Sequence, residues 1–163
     1  MAMHTWFECK IRYEKTMENG MNKKVTEPYL VDALSFTEAE ARIIEEMTPF
    51  ISGEFTVSDI KRANYSELFP SEEEAADRWF KCKLVFITLD EKSGAEKKTS
   101  TQVLVQAADL RDAVKKLDEG MKGTMADYQI ASVAETAIMD VYPYSAEPDD
   151  KPEAVSYTHL RAH

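Results

Sequence analysis

Histidine, cysteine and glycine are scarce in this sequence of 163 residues, which has three, two and five of them. Two of the histidines, His159 and His163, lie in the last nine residues, so His4 alone remains for a Ser-His-Asp or Cys-His arrangement. The sequence has no Cys-x-x-Cys pair, and its one His-x-x-x-His pair, His159 and His163, lies within those last nine residues, which argues against a zinc site. The glycines are scattered and form no phosphate loop. We therefore expect a protein that is not an enzyme, with no catalytic residue, metal ligand or cofactor.

Long apolar runs and a surplus of positive charge are also missing. No stretch approaches the roughly 18 apolar residues of a membrane span. The residues from Met1 to Trp6 lack the basic and apolar segments of a signal peptide. The formal net charge is -10, whereas a nonspecific nucleic-acid coat requires an excess of Lys and Arg. These absences predict a cytoplasmic protein without a membrane partner and make a nucleic-acid partner unfavourable.

The C-terminal end has a different character from the rest of the chain. Residues 147–153 are rich in Asp, Glu and Pro and are typical of a disordered acidic tail. Residues 155–163 resemble the translated adaptor read-through that ends many open reading frames assembled from metagenomes. We therefore assign residues 1–146 to the fold, and residues 147–163 to a disordered tail followed by an artefact.

An internal repeat is the strongest pattern in the sequence. The segment from Trp6 to Ile11 recurs 73 positions later, from Trp79 to Leu84, with both Trp and both Cys retained. Two further pairs of segments follow in the same order at nearly the same offset: 30–33 with 104–107, and 54–58 with 127–131. Three ordered matches predict a duplicated structural unit.

The pattern of each repeat predicts two strands, then a helix, and then a third strand. The strands are expected near 5–13, 25–34 and 54–63, and near 78–89, 97–107 and 128–142. Ser35 or Thr37 is expected to cap the first helix and Asp109 the second, while Ser71 starts a short helix in the linker. The predicted fold class is α+β: a duplicated ββαβ unit with pseudo-twofold symmetry, and antiparallel sheet or sheets with helices on one face.

The two repeats are expected to form a single domain. Repeat one covers about residues 5–65, the linker 66–77 and repeat two about 78–144. A unit of this size is marginal alone, so we expect the halves to share a sheet or to pack face to face. The first strands should bury one face against the helices through Phe7, Cys9, Ile11 and Tyr13, and through Phe80, Cys82, Leu84 and Phe86. Both cysteines are then small buried hydrophobes and not reactive thiols.

The opposite sheet face gathers basic and aromatic side chains. There, Lys and Arg would meet phosphates and Trp would stack on a ring. The predicted ligand-binding residues are Trp6, Lys10, Arg12, Arg62, Trp79, Lys81 and Lys83. Two other interpretations stay open: a plain solvent-exposed face, or a face covered by self-association or by packing between the halves. Packing is favoured by apolar residues on the same face, such as Leu30 and Leu104.

The repeated Trp-Phe-x-Cys-Lys strands, with the later segments 30–33 and 104–107, resemble a domain-of-unknown-function family of Bacteroidetes and their phages. The resemblance covers about residues 5–144 and implies action in a bacterial host cell. It brings no catalytic residues. In general character only, the chain is similar to homo-oligomeric phage proteins that sequester nucleotide immune signals in interface pockets.

Three functions follow as hypotheses. The first is a non-enzymatic, phage-type homo-oligomer that sequesters a small anionic, nucleotide-like signalling molecule and so counters host immune signalling. The second is an acidic protein-binding inhibitor or DNA mimic that presents carboxylates to a basic partner. The third is a phage replication accessory that binds single-stranded nucleic acid through its Trp and Lys side chains. The net charge opposes this third hypothesis.

Overall fold

A computed structural model describes residues 5–143 of the chain. The fold is α+β, with two helices and two four-stranded, mostly antiparallel sheets. The elements in chain order are β1 (Trp6–Thr16), β2 (Asn22–Asp32), α1 (Phe36–Met47), β3 (Phe55–Ala63), β4 (Glu67–Phe69), β5 (Arg78–Leu89), β6 (Glu96–Ala107), α2 (Leu110–Gly120), β7 (Asp127–Glu135) and β8 (Val141–Tyr142).

The chain divides into two compact units, each with its own sheet, helix and core. Among the described residues, unit 1 comprises 5–64 and 138–143, and unit 2 comprises Tyr65–Ala137. The sheet of unit 1 has the order β3-β1-β2-β8, and the sheet of unit 2 has the order β4-β6-β5-β7. In the part of the chain that the structure describes, the two halves therefore do not share one sheet.

Unit 1 is built on the long hairpin of β1 and β2. Strand β3 adds to β1 in the antiparallel sense, and β8 adds to β2 in the parallel sense. A bulge interrupts the pairing of β1 with β3 between Lys10 and Ile11. The face towards α1 is buried as predicted, with fully buried Cys9 and Ile11 packed with Ile43 of the helix.

Unit 2 is built on the hairpin of β5 and β6. Strand β7 adds to β5 in the antiparallel sense, and β4 adds to β6 in the parallel sense. A bulge interrupts the pairing of β5 with β7 between Lys83 and Leu84. Phe80, Cys82 and Leu84 form the predicted core with Leu117 of α2.

The predicted caps of α1 and α2 form, and a glycine completes the turn after β5. Ser35 caps α1, since its hydroxyl oxygen accepts a hydrogen bond from the Glu38 amide at 3.1 Å. Asp109 caps α2 by accepting from the Asp112 amide at 2.8 Å. The turn after β5 needs a left-handed residue, and Gly94 supplies it with φ of 72°.

The linker does not contain the helix that we predicted at Ser71. The residues before it form β4, and Ser71 itself lies in irregular structure. The Ser71 amide donates to Gln106 Oε1 at 2.9 Å, and its hydroxyl oxygen accepts from Lys116 at 3.1 Å. The hydroxyl oxygen also accepts from the Glu73 amide at 3.2 Å, so the local polar pattern is satisfied here without starting a helix.

The predicted last strand near 128–142 is interrupted. Strand β7 ends at Glu135, and the chain then leaves the sheet of unit 2 and joins that of unit 1 as β8. The amide of Met139 donates to Pro28 O at 2.9 Å, just before β8 begins. The predicted tail and artefact at 147–163 lie outside the described residues.

Candidate functional site

The predicted site residues are divided between the two units. In unit 2, Lys81 and Lys83 are exposed and lie two positions apart on β5, on the sheet face away from α2. Lys81 is in register with Leu104 and Ala134. Because directly opposite residues on paired strands point to the same face, Lys81 has neutral side chains on both sides.

Lys83 also has neutral neighbours, since its register partners are Gln102 and Ser132. No ion pair that the described residues form includes Lys81 or Lys83. We call the surface formed by these two lysines and their polar neighbours the lysine face. Its members are Lys81, Lys83, Lys98, Ser100, Gln102, Gln129 and Ser132, with one carboxylate, Asp127, opposite Ile87 at the far end of the face.

The lysine face combines positive charge with groups that form hydrogen bonds. Side-chain amides and hydroxyls donate and accept, and two ammonium groups on one strand can bind the oxygens of phosphate or carboxylate. Val85 and Ile87 on the same strand and face are half-buried. The arrangement can hold an anionic ligand that also has a polar, hydrogen-bonding portion.

The corresponding face of unit 1 has a different charge pattern. Lys10 is half-buried and in register with Asp59. Next to it, Lys61 Nζ lies 4.0 Å from Glu8 Oε2. Arg12 is exposed and has neutral register partners, Thr26 and Thr56. Carboxylates thus alternate with most of the cations on this face, which weakens its attraction for an anion.

We predicted that Arg62 lies on the same face as Lys10, but it does not. It is in register with Phe7, whose ring belongs to the core beneath α1. The bulge in β3 adds one residue at Ser58 and reverses the alternation of side chains beyond it. Lys61 occupies the place expected for Arg62, and a bulge of this kind leaves little signal in the sequence.

Both tryptophans are buried, with 5% of Trp6 and 1% of Trp79 exposed. The backbone around Trp79 is also engaged, because its carbonyl oxygen accepts from the Thr136 amide and hydroxyl, each at 2.9 Å. Stacking of a base on either indole would require the side chain to leave its buried position. The lysine side chains, in contrast, are accessible where they stand.

The two cysteines have no features of a catalytic thiol. Cys9 and Cys82 are free and fully buried. Burial raises the pKa of Cys82 to about 11. Burial also raises the pKa of Cys9 to about 12, with the negative charges of Glu8 and Asp59 adding to the effect. Both thiols stay protonated at neutral pH and are weak nucleophiles.

Two helix cations that the sequence reasoning missed act within the fold. Lys116 Nζ of α2 lies 2.9 Å from Asp112 Oδ2 and 3.2 Å from Glu73 Oε1. Arg42 of α1 donates to the carbonyl oxygens of Asp32 and Pro143. Each cation ties its helix to a segment next to a short parallel strand, so neither adds to the lysine face. The two cations are 74 positions apart, which matches the offset of the repeat. This spacing was the signal in the sequence that could have identified them.

A polar cluster in unit 1 is satisfied by its own hydrogen bonds. Glu27 Oε1 accepts from the hydroxyls of Tyr13 at 2.9 Å and Tyr29 at 3.2 Å, and Lys15 Nζ lies 3.8 Å from Glu27 Oε2. Burial first, and then Glu27, raise the pKa of Tyr13 to about 12. Because these polar groups bind one another, we interpret the cluster as a structural one.

Within 5–143, no group of three or more His, Cys, Asp or Glu side chains comes together in a way that could hold a metal ion. In the same part of the chain, neither helix has the length and apolar character of a membrane span.

Comparison with known families gives one result. Residues 5–144 match the family model described as Domain of unknown function (DUF4494). No curated protein matches the chain. The matched range includes both sheets, both helices and the lysine face.

Proposed function

The chain belongs to the DUF4494 family, whose function is unknown, and from its geometry we propose a non-enzymatic protein that binds a small phosphate-bearing ligand on the lysine face. The observation that carries this proposal is the uncompensated pair Lys81 and Lys83. Both are exposed, two positions apart on one strand, with no carboxylate in register on either neighbouring strand.

The electrostatic contrast within the molecule supports the choice of site. The chain has a net charge of -10, so an anion is repelled by most of its surface. In unit 1, Asp59 lies opposite Lys10, and Glu8 pairs with Lys61. On the lysine face, Lys81 and Lys83 have no such partner, and ammonium groups form charge-assisted hydrogen bonds with phosphate oxygens.

We propose that the ligand is nucleotide-like and is sequestered, not converted. The polar members of the lysine face, Gln102, Gln129 and Ser132, offer donors and acceptors to a sugar or a base. Sequestration of a nucleotide immune signal in a bacterial host cell is the setting that the resemblance to phage proteins implies. Binding without turnover requires only a site of this kind.

A titration with matched variants tests the site. The probes are ADP-ribose and cyclic di-AMP, and binding is measured by isothermal titration calorimetry at low salt. The double variant Lys81→Ala and Lys83→Ala should weaken binding at least about tenfold, because two charge-assisted contacts are lost. The matched control Lys10→Ala and Lys61→Ala removes the same charge from unit 1 and should leave binding within about twofold.

Other results would overturn the proposal. Equal affinity of both double variants would place binding elsewhere, and failure of every probe to bind the native protein would remove nucleotide-like ligands of this type. Preference for a single-stranded oligonucleotide over both probes would favour the replication accessory. A salt-sensitive complex with a basic protein, retained in the Lys81 and Lys83 double variant, would favour the acidic inhibitor.

We also propose that the two units descend from one duplicated ββαβ unit with pseudo-twofold symmetry in a single domain. The support is internal to each unit. The bulges follow Lys10 and Lys83, the caps are Ser35 and Asp109, and each sheet ends in a short parallel strand at its second strand.

A further inference from the structure

Strand β7 forms one edge of the sheet of unit 2. It is the last strand in the order β4-β6-β5-β7 and pairs with β5 along residues 127–135. No other strand in the described part of the chain pairs with its outer side. A row of backbone N–H and C=O groups on an open edge is a template for another strand.

The other long edges carry residues that oppose strand addition. Proteins protect open edges with Lys, other charges and Pro. Strand β3 has Lys61 and Arg62. The part of β2 that does not pair with β8 has Lys23, Lys24 and Pro28, and the part of β6 that does not pair with β4 has Lys97 and Lys98. Strand β7 contains no Lys, Arg or Pro, and its two charged residues, Asp127 and Glu135, lie at its ends.

We infer that β7 is the surface through which two copies of this chain pair, antiparallel about a twofold axis, to form one continuous sheet. The bulge at Ala131 restricts the register. Tyr128 and Ile130 face α2 before the bulge, whereas Val133 and Glu135 face α2 after it. Registers that keep the helices of both copies on one side therefore pair an even-numbered residue with an odd-numbered one.

Two registers of this kind overlap equally along β7, and we choose the one that pairs two β-branched side chains. It places Ile130 opposite Val133 of the second copy, and Tyr128 opposite Glu135, each twice. Cross-strand pairs of β-branched residues stabilise a sheet, and like charges directly opposite destabilise it. Asp127 then lies opposite Thr136, so no carboxylate faces another across the twofold axis.

This pairing goes beyond the proposed function and does not depend on it, because it needs no ligand. It also has a consequence for the lysine face. The β5 strands of the two copies would be three strand spacings apart, about 14 Å, with both lysine faces on the same side of the sheet. A ligand with two anionic groups could then contact both copies.

Sedimentation equilibrium without added ligand tests the pairing. The native protein should show a concentration-dependent dimer. Ala134→Lys gives β7 the lysine that β3 has at Lys61, and places it beside Lys81. It should raise the dimer Kd at least about tenfold. The matched control Thr56→Lys adds a lysine to the β3 edge and should leave the Kd unchanged.

A native protein that stays monomeric into the millimolar range would overturn this inference, as would a dimer that Ala134→Lys and Thr56→Lys weaken equally. Amide exchange in the native protein gives a second measurement that needs no variant. Exchange of the β7 amides should slow as protein concentration rises, and rates independent of concentration would contradict the pairing. Either failure leaves the ligand titrations unaffected, so the two proposals fail separately.

Discussion

At the scale of the residue, Asp112 of α2 contacts both the residue that precedes the cap of its helix and a lysine one turn further along. Its Oδ2 accepts from the Ala108 amide at 2.9 Å and lies 2.9 Å from Lys116 Nζ. The bond from Ala108 and the contact with Lys116 lower the pKa of the Asp112 carboxyl below its ordinary value of 3.8. Stability from a carboxyl with a lowered pKa is complete above the ordinary pKa and is lost as pH falls through the folded value.

The free energy of unfolding should therefore decrease as pH falls below 3.8, and Asp112→Asn should make that decrease shallower. Urea unfolding at a series of pH values measures it. The control is Glu74→Gln, which removes one carboxyl charge from the exposed linker and reports the effect of the change in net charge alone. Equal slopes in the native protein and Asp112→Asn would show that this carboxyl does not contribute to acid sensitivity.

Residue roles were predictable from the sequence only in part. Alternation along β1 and β5 correctly placed Cys9 and Cys82 in the cores. Alternation gives the face of a side chain but not its exposure, and Trp6 and Trp79 are buried on the face where we expected a ligand. Arg62 was misplaced because one bulged residue reverses every side chain beyond it.

At the scale of the element, α2 and β4 meet at Gly120. A Cβ at this position would lie 2.9 Å from the Phe69 ring, too close for a real contact. Ala in place of Gly usually stabilises a helix by about 1 kcal/mol. Overpacking against Phe69 costs about 1–3 kcal/mol and reverses that sign. Gly120→Ala should therefore lower the free energy of unfolding by about 1 kcal/mol.

Urea unfolding of Gly120→Ala measures this change. Gly53→Ala is the matched control, since a Cβ at Gly53 would meet no atom within 4 Å. It should be neutral or slightly stabilising. A Gly120→Ala protein that is more stable than the native protein would show that Phe69 moves aside without cost.

Most long elements were predictable, because their signals are local. The span of β5 matches its prediction, and the caps at Ser35 and Asp109 mark both helix starts. Strands β4 and β8 could not be found in this way. They contain three and two residues, too few for an alternating pattern, and their partners β6 and β2 lie far away in the sequence.

At the scale of the whole molecule, the chain is acidic and its fold is α+β, as composition and pattern predicted. The repeat in the sequence identified two helix-bearing halves, and two compact units are present. It could not show that the segments after β3 and after β7 each join the sheet of the other half as β4 and β8. Such exchanges depend on pairings between residues distant in sequence.

The central claim is that Lys81 and Lys83 bind a phosphate-bearing ligand. Nuclear magnetic resonance titration of labelled native protein with ADP-ribose and cyclic di-AMP tests it most directly. We predict that the shifted backbone and side-chain signals cluster on the lysine face, at Lys81, Lys83, Gln102 and Ser132. Shifts confined to unit 1 around Lys10 and Arg12, or no shifts at saturating concentrations of either probe, would contradict it.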